Sequence, residues 1–448
     1  MFKRILALAL TAGLATGAAF VNFSKIQIGQ VPKPVEVAVA AKQANLICPG
    51  PVYVNGGETG LKLGKFTQSG VATVLGWDSG NQISINANAF QNILGKTSAT
   101  EDFNAIQIQN SKQKLAGGLA AANCSPGVSE AWFIAGDNSV GREALLVLVN
   151  PTLVDATVSL NLIGTEGTIQ GTGLSGISAP AGKVTVLPMA AFAPKSATFA
   201  VQVSSRGAAL GMWLQQKTIR GLTPGGLDLV SASGLPGKTI DIPGLFVRTT
   251  TKLEALAKAD PDYQDTKPVL RVASLGDRET TFTAQVQGAD GKSFGTVIQG
   301  TVAAGTVGDF ELDGLTDGDY IVHVDANQPI LGSVRFSRLG SGEPDFAWAT
   351  SVTPTKLQTG FTAPVGAISK LSLANATDDA VTATLIGKKI EVPANSNLVI
   401  PLTAGLSYRL STTGLVSASQ VIDVAGNVAV LPILDYRPET GKIKVLVR

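Results

Sequence analysis

The sequence predicts an all-β chain: tandem immunoglobulin-like β-sandwich units behind an N-terminal hydrophobic helix. Three observations predict it. The segment 199–210, FAVQVSSRGAAL, alternates Phe199, Val201 and Val203 on one face with Ala200, Gln202 and Ser204 on the other, then turns through small residues. Near-copies of this hairpin pattern recur at 104–115 and 320–331, with a fainter one from Tyr408. The composition is rich in Gly (50 of 448 residues) and poor in charge (15%), and no long stretch with a 3.6-residue period occurs beyond the N-terminus. Finally, short alternating strands are separated by Gly/Pro/Asn turns every 8–12 residues or so, the spacing of sandwiches. The copies differ in length, which suits sandwiches in a row better than a solenoid of fixed period.

The chain opens with Lys3 and Arg4 before an apolar run over 5–21, the pattern of an export signal. Residues 1–22 are read as a signal peptide or an uncleaved membrane anchor. Ala15-Thr16-Gly17 offers a cleavage site, whereas the run is slightly short of the ~20 residues of a spanning helix. In both cases the basic residues stay inside and the rest of the chain is outside. Residues 23–44, with Pro32 and Pro34, read as a stem. The first sandwich is expected over 45–126. Cys48 and Cys124 lie at its two ends and, in an oxidising compartment, would staple first strand to last. Such a loop is worth about 4 kcal/mol on the chain-entropy estimate. Two buried free thiols are the alternative.

The second unit, 127–250, contains strands at 145–149 and 157–163 around a turn at 150–155, and then the 199–210 hairpin. The third, 267–350, repeats that order, because Asn150 and Gly164 are spaced like Ser274 and Gly288. The fourth, 351–448, is a compressed version ending in a strand from Lys442. Between units two and three, 251–266 sets Leu253, Leu256 and Ala257 on one face before Pro261, consistent with a short linker helix or a loop.

Composition excludes several functions. Lys and Arg total 35 against 33 Asp and Glu, with no basic run, so no nucleic-acid footprint is expected. One histidine and no CxxC pair argue against a triad, a histidine-ligated metal or a thiolate cage. His323 aligns with Gln107, Gln202 and Ser411, which marks a solvent-facing position on the repeat. The acidic run Asp309, Glu311, Asp313, Asp317 and Asp319 reads as the wet face of a strand plus a turn, not as a calcium loop. Asp260, Asp262 and Asp265 in the linker read the same way. Trp132 and Trp213 are the candidate contacts for a glycan ring, although Trp77, Trp132, Trp213 and Trp348 are each more simply read as core or inter-domain plugs. No catalytic residue, cofactor or metal site is expected.

Several of these features together resemble an actinobacterial group, domain-of-unknown-function family 5719. They are the apolar N-terminus, Cys48-Pro49-Gly50-Pro51, and Cys124 followed by Trp132-Phe133. Gly141-Arg142 leading into 145–151, the Pro180-Ala181-Gly182 turn and the loop 220–226 complete the set. The likeness is best over 45–235; the second half departs from it, with Lys and Gln in turns where Asp and Arg are usual. The resemblance implies a secreted or membrane-anchored protein without an assigned activity. The expectation is therefore a non-enzymatic, membrane-tethered scaffold or binding protein at the outer face of the cell envelope, its partner an envelope protein or an envelope glycan. A glycan-binding module is the alternative, and a glycoside-active hydrolase a remoter one.

Overall fold

The computed structural model describes residues 35–38, 45–56, 62–78, 81–95, 103–289, 294–435 and 442–445. The predicted N-terminal apolar segment lies outside them. No helix among the described residues is long and apolar enough to cross a membrane. A small separate unit pairs Val35–Ala38, from the stretch read as a stem, antiparallel with the expected terminal strand Lys442–Val445. The second compact unit spans Gln43–Arg437.

Its residues form four domains. In domain 2, Phe199–Arg206 lies between Glu130–Phe133 and Ala156–Gly164, and the latter also pairs with Gly167–Ile169 and Ile177–Ala179. The facing sheet runs Lys183–Pro188, Arg142–Asn150, Gly211–Arg220, Thr223–Val230. Val201 and Val203 of one sheet and Leu146, Leu148 and Leu214 of the other are fully buried between them. A sheet with one buried face needs just this alternation.

The central motif is not a hairpin here. Phe199–Arg206 and Gly211–Arg220 belong to opposite sheets, and residues 207–210 carry the chain across the core. Alternation cannot distinguish folding back from crossing over, because the side-chain period of two is the same in both. Domain 4 repeats the two sheet orders strand for strand. Gln358–Thr362, Ser407–Thr412, Val381–Leu385 and Lys388–Val392 form one sheet; Ser396–Leu402, Ile368–Asn375, Ser417–Val424 and Asn427–Pro432 form the other. Asn150 and Asn375 end equivalent strands. Each accepts from the backbone N–H and hydroxyl of a Thr two residues on, and each donates back across the turn.

Domain 3 keeps the topology with one change: the crossing disappears into a single strand, Gly318–Leu339. Its first arm pairs with Thr280–Gly288 and Gly237–Val247, its second with Val269–Ser274 and Pro344–Thr350. The strand Gly237–Val247, which falls within the 127–250 unit of the sequence reading, is thus a strand of domain 3. The helix Thr250–Ala259 and the 3-10 turn Pro261–Thr266 sit between its first two strands.

Domain 1 differs. The sheet Asn81–Ala87, Ala72–Asp78, Asn104–Gln113, Ala116–Asn123 contains a true hairpin in the 104–123 segment. The pairs Asn45–Cys48 with Gln91–Leu94 and Tyr53–Gly56 with Lys62–Gln68 complete it. Cys48 and Cys124 are disulfide-bonded, joining the two ends of the domain as expected. Gln107 overturns its assignment to a solvent-facing position. It is fully buried, and its amide accepts from Gly50 N–H (2.7 Å) and donates to Gly50 C=O (2.6 Å). Ile106 instead points outward, into a junction with Ile422, Ala429 and Leu431 of domain 4. The copy is one residue out of phase, which exchanges the two faces of a strand.

The four sandwiches do not stand in a row. Strand Ala116–Asn123 packs on Thr223–Val230, that on Pro344–Thr350, that on Asn427–Pro432, and the last returns to the first. The ring is closed. Each junction has its own apolar core: Val54, Leu145 and Trp213 between domains 1 and 2; Ile134, Ala200 and Leu331 between 2 and 3; Val421, Val430 and Phe246 between 3 and 4; and the Ile106 cluster between 4 and 1.

Asp345 sits where the inner strands meet, 2% exposed. Its carboxylate accepts from Leu119 N–H of domain 1 (2.9 Å), Leu227 N–H of domain 2 (2.9 Å) and Val428 N–H of domain 4 (3.1 Å). Gly118, with φ of 139°, is what lets the first of these strands approach. A Cβ there would fall 2.5 Å from Asp345 Oδ1.

Candidate functional site

On the outer face of domain 3, the register sets Asp241, His323 and Gln285 side by side on three adjacent strands. The equivalent rows are Trp132, Gln202, Asn161 in domain 2 and Gln358, Ser411, Thr384 in domain 4. In domain 3 the row faces a cleft of about 290 Å³, walled on the far side by Asn375, Asn395 and Asn397 of domain 4. His323 meets Asp241 Oδ1 through Nδ1 at 2.7 Å and Asp325 Oδ2 through Nε2 at 3.3 Å. The hydrogen bond to Asp241 holds the imidazole above its usual pKa, burial opposing it. Asp241 Oδ2 accepts from Ser417 Oγ of domain 4 (3.2 Å), so the same carboxylate also ties the two domains.

Around this group the amides form a chain. Asn397 Nδ2 donates to Gln287 Oε1 (3.0 Å), and Gln287 Nε2 to Gln285 Oε1 (3.2 Å). Gln285 Nε2 and Asn397 Oδ1 have no bond among the described residues. The arrangement presents both donors and acceptors. It offers no nucleophile with a positioned base, since both imidazole nitrogens already meet carboxylates.

The acidic groups singled out in sequence are distributed among structural ties. Asp309 grips Arg271 (2.7 and 2.8 Å) and accepts from Thr198 Oγ1. Asp317 caps the helix at Thr250 N–H (3.0 Å), and Asp319 bridges Arg248 and Lys370. Glu311 pairs with Lys267. Among the described residues no group of His, Cys, Asp or Glu is arranged to hold a metal ion.

Asp265 is the least expected. It draws together Arg142 (2.7 Å) and Arg220 (2.7 Å) of domain 2 and Arg335 (2.9 Å) of domain 3. Burial pushes its carboxyl up, but the three guanidiniums outweigh burial and hold it well below the usual range. Nothing in the local sequence signals this site, because its arginines are scattered over almost 200 residues of chain.

The tryptophans separate. Trp213 is 2% exposed inside the junction of domains 1 and 2 and has no face to offer a sugar; the glycan contact expected there is corrected on that ground. Trp348, equally buried, donates its Nε1–H to Gln216 (2.8 Å) and lies under Arg271. Trp132 is half-buried against the junction of domains 2 and 3.

No curated protein matches the chain. Among solved structures, an anti-sigma factor domain-containing protein from Clostridium clariflavum aligns over 87% of this chain and 99% of its own at 9% identity, with a TM-score of 0.13, a likeness that carries no inference. A family model for DUF5719 matches residues 86–410, and the chain belongs to that family of unknown function.

Proposed function

We propose that the protein is an exported, membrane-tethered, non-catalytic binding scaffold at the outer face of the cell envelope. The observation that carries this reading is the use of charge. Asp265, Asp309, Asp319, Asp345 and Asp423 are each committed to ties within or between domains, and together they stabilise a closed ring. A catalytic site keeps ionisable groups poised for substrate; here they lock architecture. The basic, then apolar, N-terminal sequence and the disulfide of domain 1 support export.

The test is fractionation of cells producing the tagged full chain, with protease added to intact cells, followed by incubation of the purified chain with panels of glycosides, esters and phosphates. Membrane association, cleavage from outside and no turnover are the expected results. Recovery in the cytosol, or turnover of any panel member, would refute the proposal. Binding of an envelope glycan is the second reading, favoured by the polar cleft on domain 3.

A further inference from the structure

We infer that the outer sheet face of domain 3 is a binding trough for a linear, neutral carbohydrate chain. The inference rests on the binding-scaffold reading and gives it a site. Two concave regions meet at Asp325. One is the cleft of about 290 Å³ between domains 3 and 4; the other, of about 560 Å³, continues over the same sheet past Thr283, Gln299, Thr301 and Asn327. Both are floored by side chains of neighbouring strands, so they form one elongated depression and not two unrelated pits.

The lining chooses the ligand class by elimination. Among the described residues neither region is lined by Lys or Arg, so a polyanion such as a phosphate polymer finds no counter-charge there. The carboxylates are already answered: Asp241 by His323 and Ser417, Asp325 by His323 and by Thr239 Oγ1 (2.9 Å), which leaves little pull on a cation. Apolar side chains are sparse in the lining, so a lipid tail or an apolar peptide gains little by burial there. What remains is amide and hydroxyl, groups that give and accept hydrogen bonds at once, as sugar hydroxyls do. Gln285 Nε2 and Asn397 Oδ1, unbonded among the described residues, belong to residues that both line the cleft and supply it with one donor and one acceptor.

The sister domains provide an internal control. In domain 2 the equivalent row satisfies itself: Gln202 Nε2 donates to Glu130 (2.6 Å), Asn161 to Gln202, and Trp132 is packed into a junction. The equivalent strands thus carry a solvent-exposed, self-bonded row in domain 2 and one walled by a neighbour in domain 3.

The experiment titrates the detergent-purified full chain with linear hexasaccharides of glucose, mannose and galactose by calorimetry, and recovers each sugar afterwards for chain-length analysis. At least one hexasaccharide should saturate the protein. Gln285→Ala combined with Asn397→Ala should weaken it by about tenfold or more, two lost hydrogen bonds, with the melting temperature retained. Gln202→Ala on domain 2 should leave affinity unchanged. No saturation by any of the sugars, or equal weakening by Gln202→Ala, would overturn the trough. Such a failure leaves membrane association and lack of turnover intact, so the scaffold reading survives it. A shortened sugar would instead refute the non-catalytic reading, while the variant series would still locate the binding face.

Discussion

Asp265, part-buried, and Asp345, buried, are both carboxylates that join separate domains, and they are held in opposite ways. Asp265 stands among three guanidiniums, and charge compensates charge. Asp345 is surrounded by backbone N–H groups of three other domains. Dipoles compensate a buried charge less fully than cations do: burial pushes Asp345 up to about 7 despite those N–H groups, while Asp265 is held below the ordinary range. Asp228, nearby on domain 2 and facing Trp348 N–H (2.7 Å), is pushed up by burial as well. The ring thus uses two kinds of joint. The outer one, between domains 2 and 3, is ionic; the axial one, shared by all four domains, is a set of backbone hydrogen bonds.

The largest effect should come from Asp265→Ala, which leaves Arg220 and Arg335 without a carboxylate partner among the described residues, while Arg142 keeps Asp137 (3.3 Å). A loss of about 3–5 kcal/mol is expected in urea unfolding, and a loss below about 1 kcal/mol would remove the distinction between the joints. Asp345→Ala at neutral pH should cost less, about 1–3 kcal/mol, because it orphans N–H groups but no charge.

The pH dependence then separates the two by sign. The folded pKa of Asp265 is depressed, so its stabilisation is present above the unfolded value of about 3.9 and lost as pH falls through the folded value. The folded pKa of Asp345 is raised, so its contribution is complete below about pH 3.9 and declines as pH rises through about 7. Urea titrations of wild type and each variant, carried from well below the unfolded value of about 3.9 to above about 7, should show differences that converge at opposite ends, for Asp265 on the acid side and for Asp345 on the neutral side; parallel curves would contradict the assignment. Salt should matter least. Because mostly buried pairs are weakly screened, going from about 0.1 M to about 1 M sodium chloride should change the Asp265→Ala cost by less than about 0.5 kcal/mol.

Much of the strand inventory was legible in the sequence, because Phe199, Val201 and Val203, or Thr280 to Gly288, alternate as half-buried strands must. The disulfide was legible from cysteine count and position. The crossing between sheets was not, since residues 207–210 would serve equally as a hairpin turn. Nor was the phase of Gln107: its alternation is regular, and only the tertiary partner Gly50 decides which face is inside. Ring closure does leave a trace in the sequence. The strands GGLAAAN, TPGGLDLV and PDFAWAT lack alternation, and residues buried on both faces need a continuous small or apolar run. The domain 3 trough depends on a wall supplied by Asn395 and Asn397, more than 70 residues from His323, which no local pattern links to it.

A string of sandwiches can gain or lose a bead at little cost to the others. The closed arrangement described above cannot, because each inner strand has a neighbour on both sides and the last returns to the first. Removing one domain would open two apolar seams at once, and adding a fifth would demand a new angle at every seam. Its repeat number is therefore set by closure, in the way an arch admits only the stones that meet at its crown.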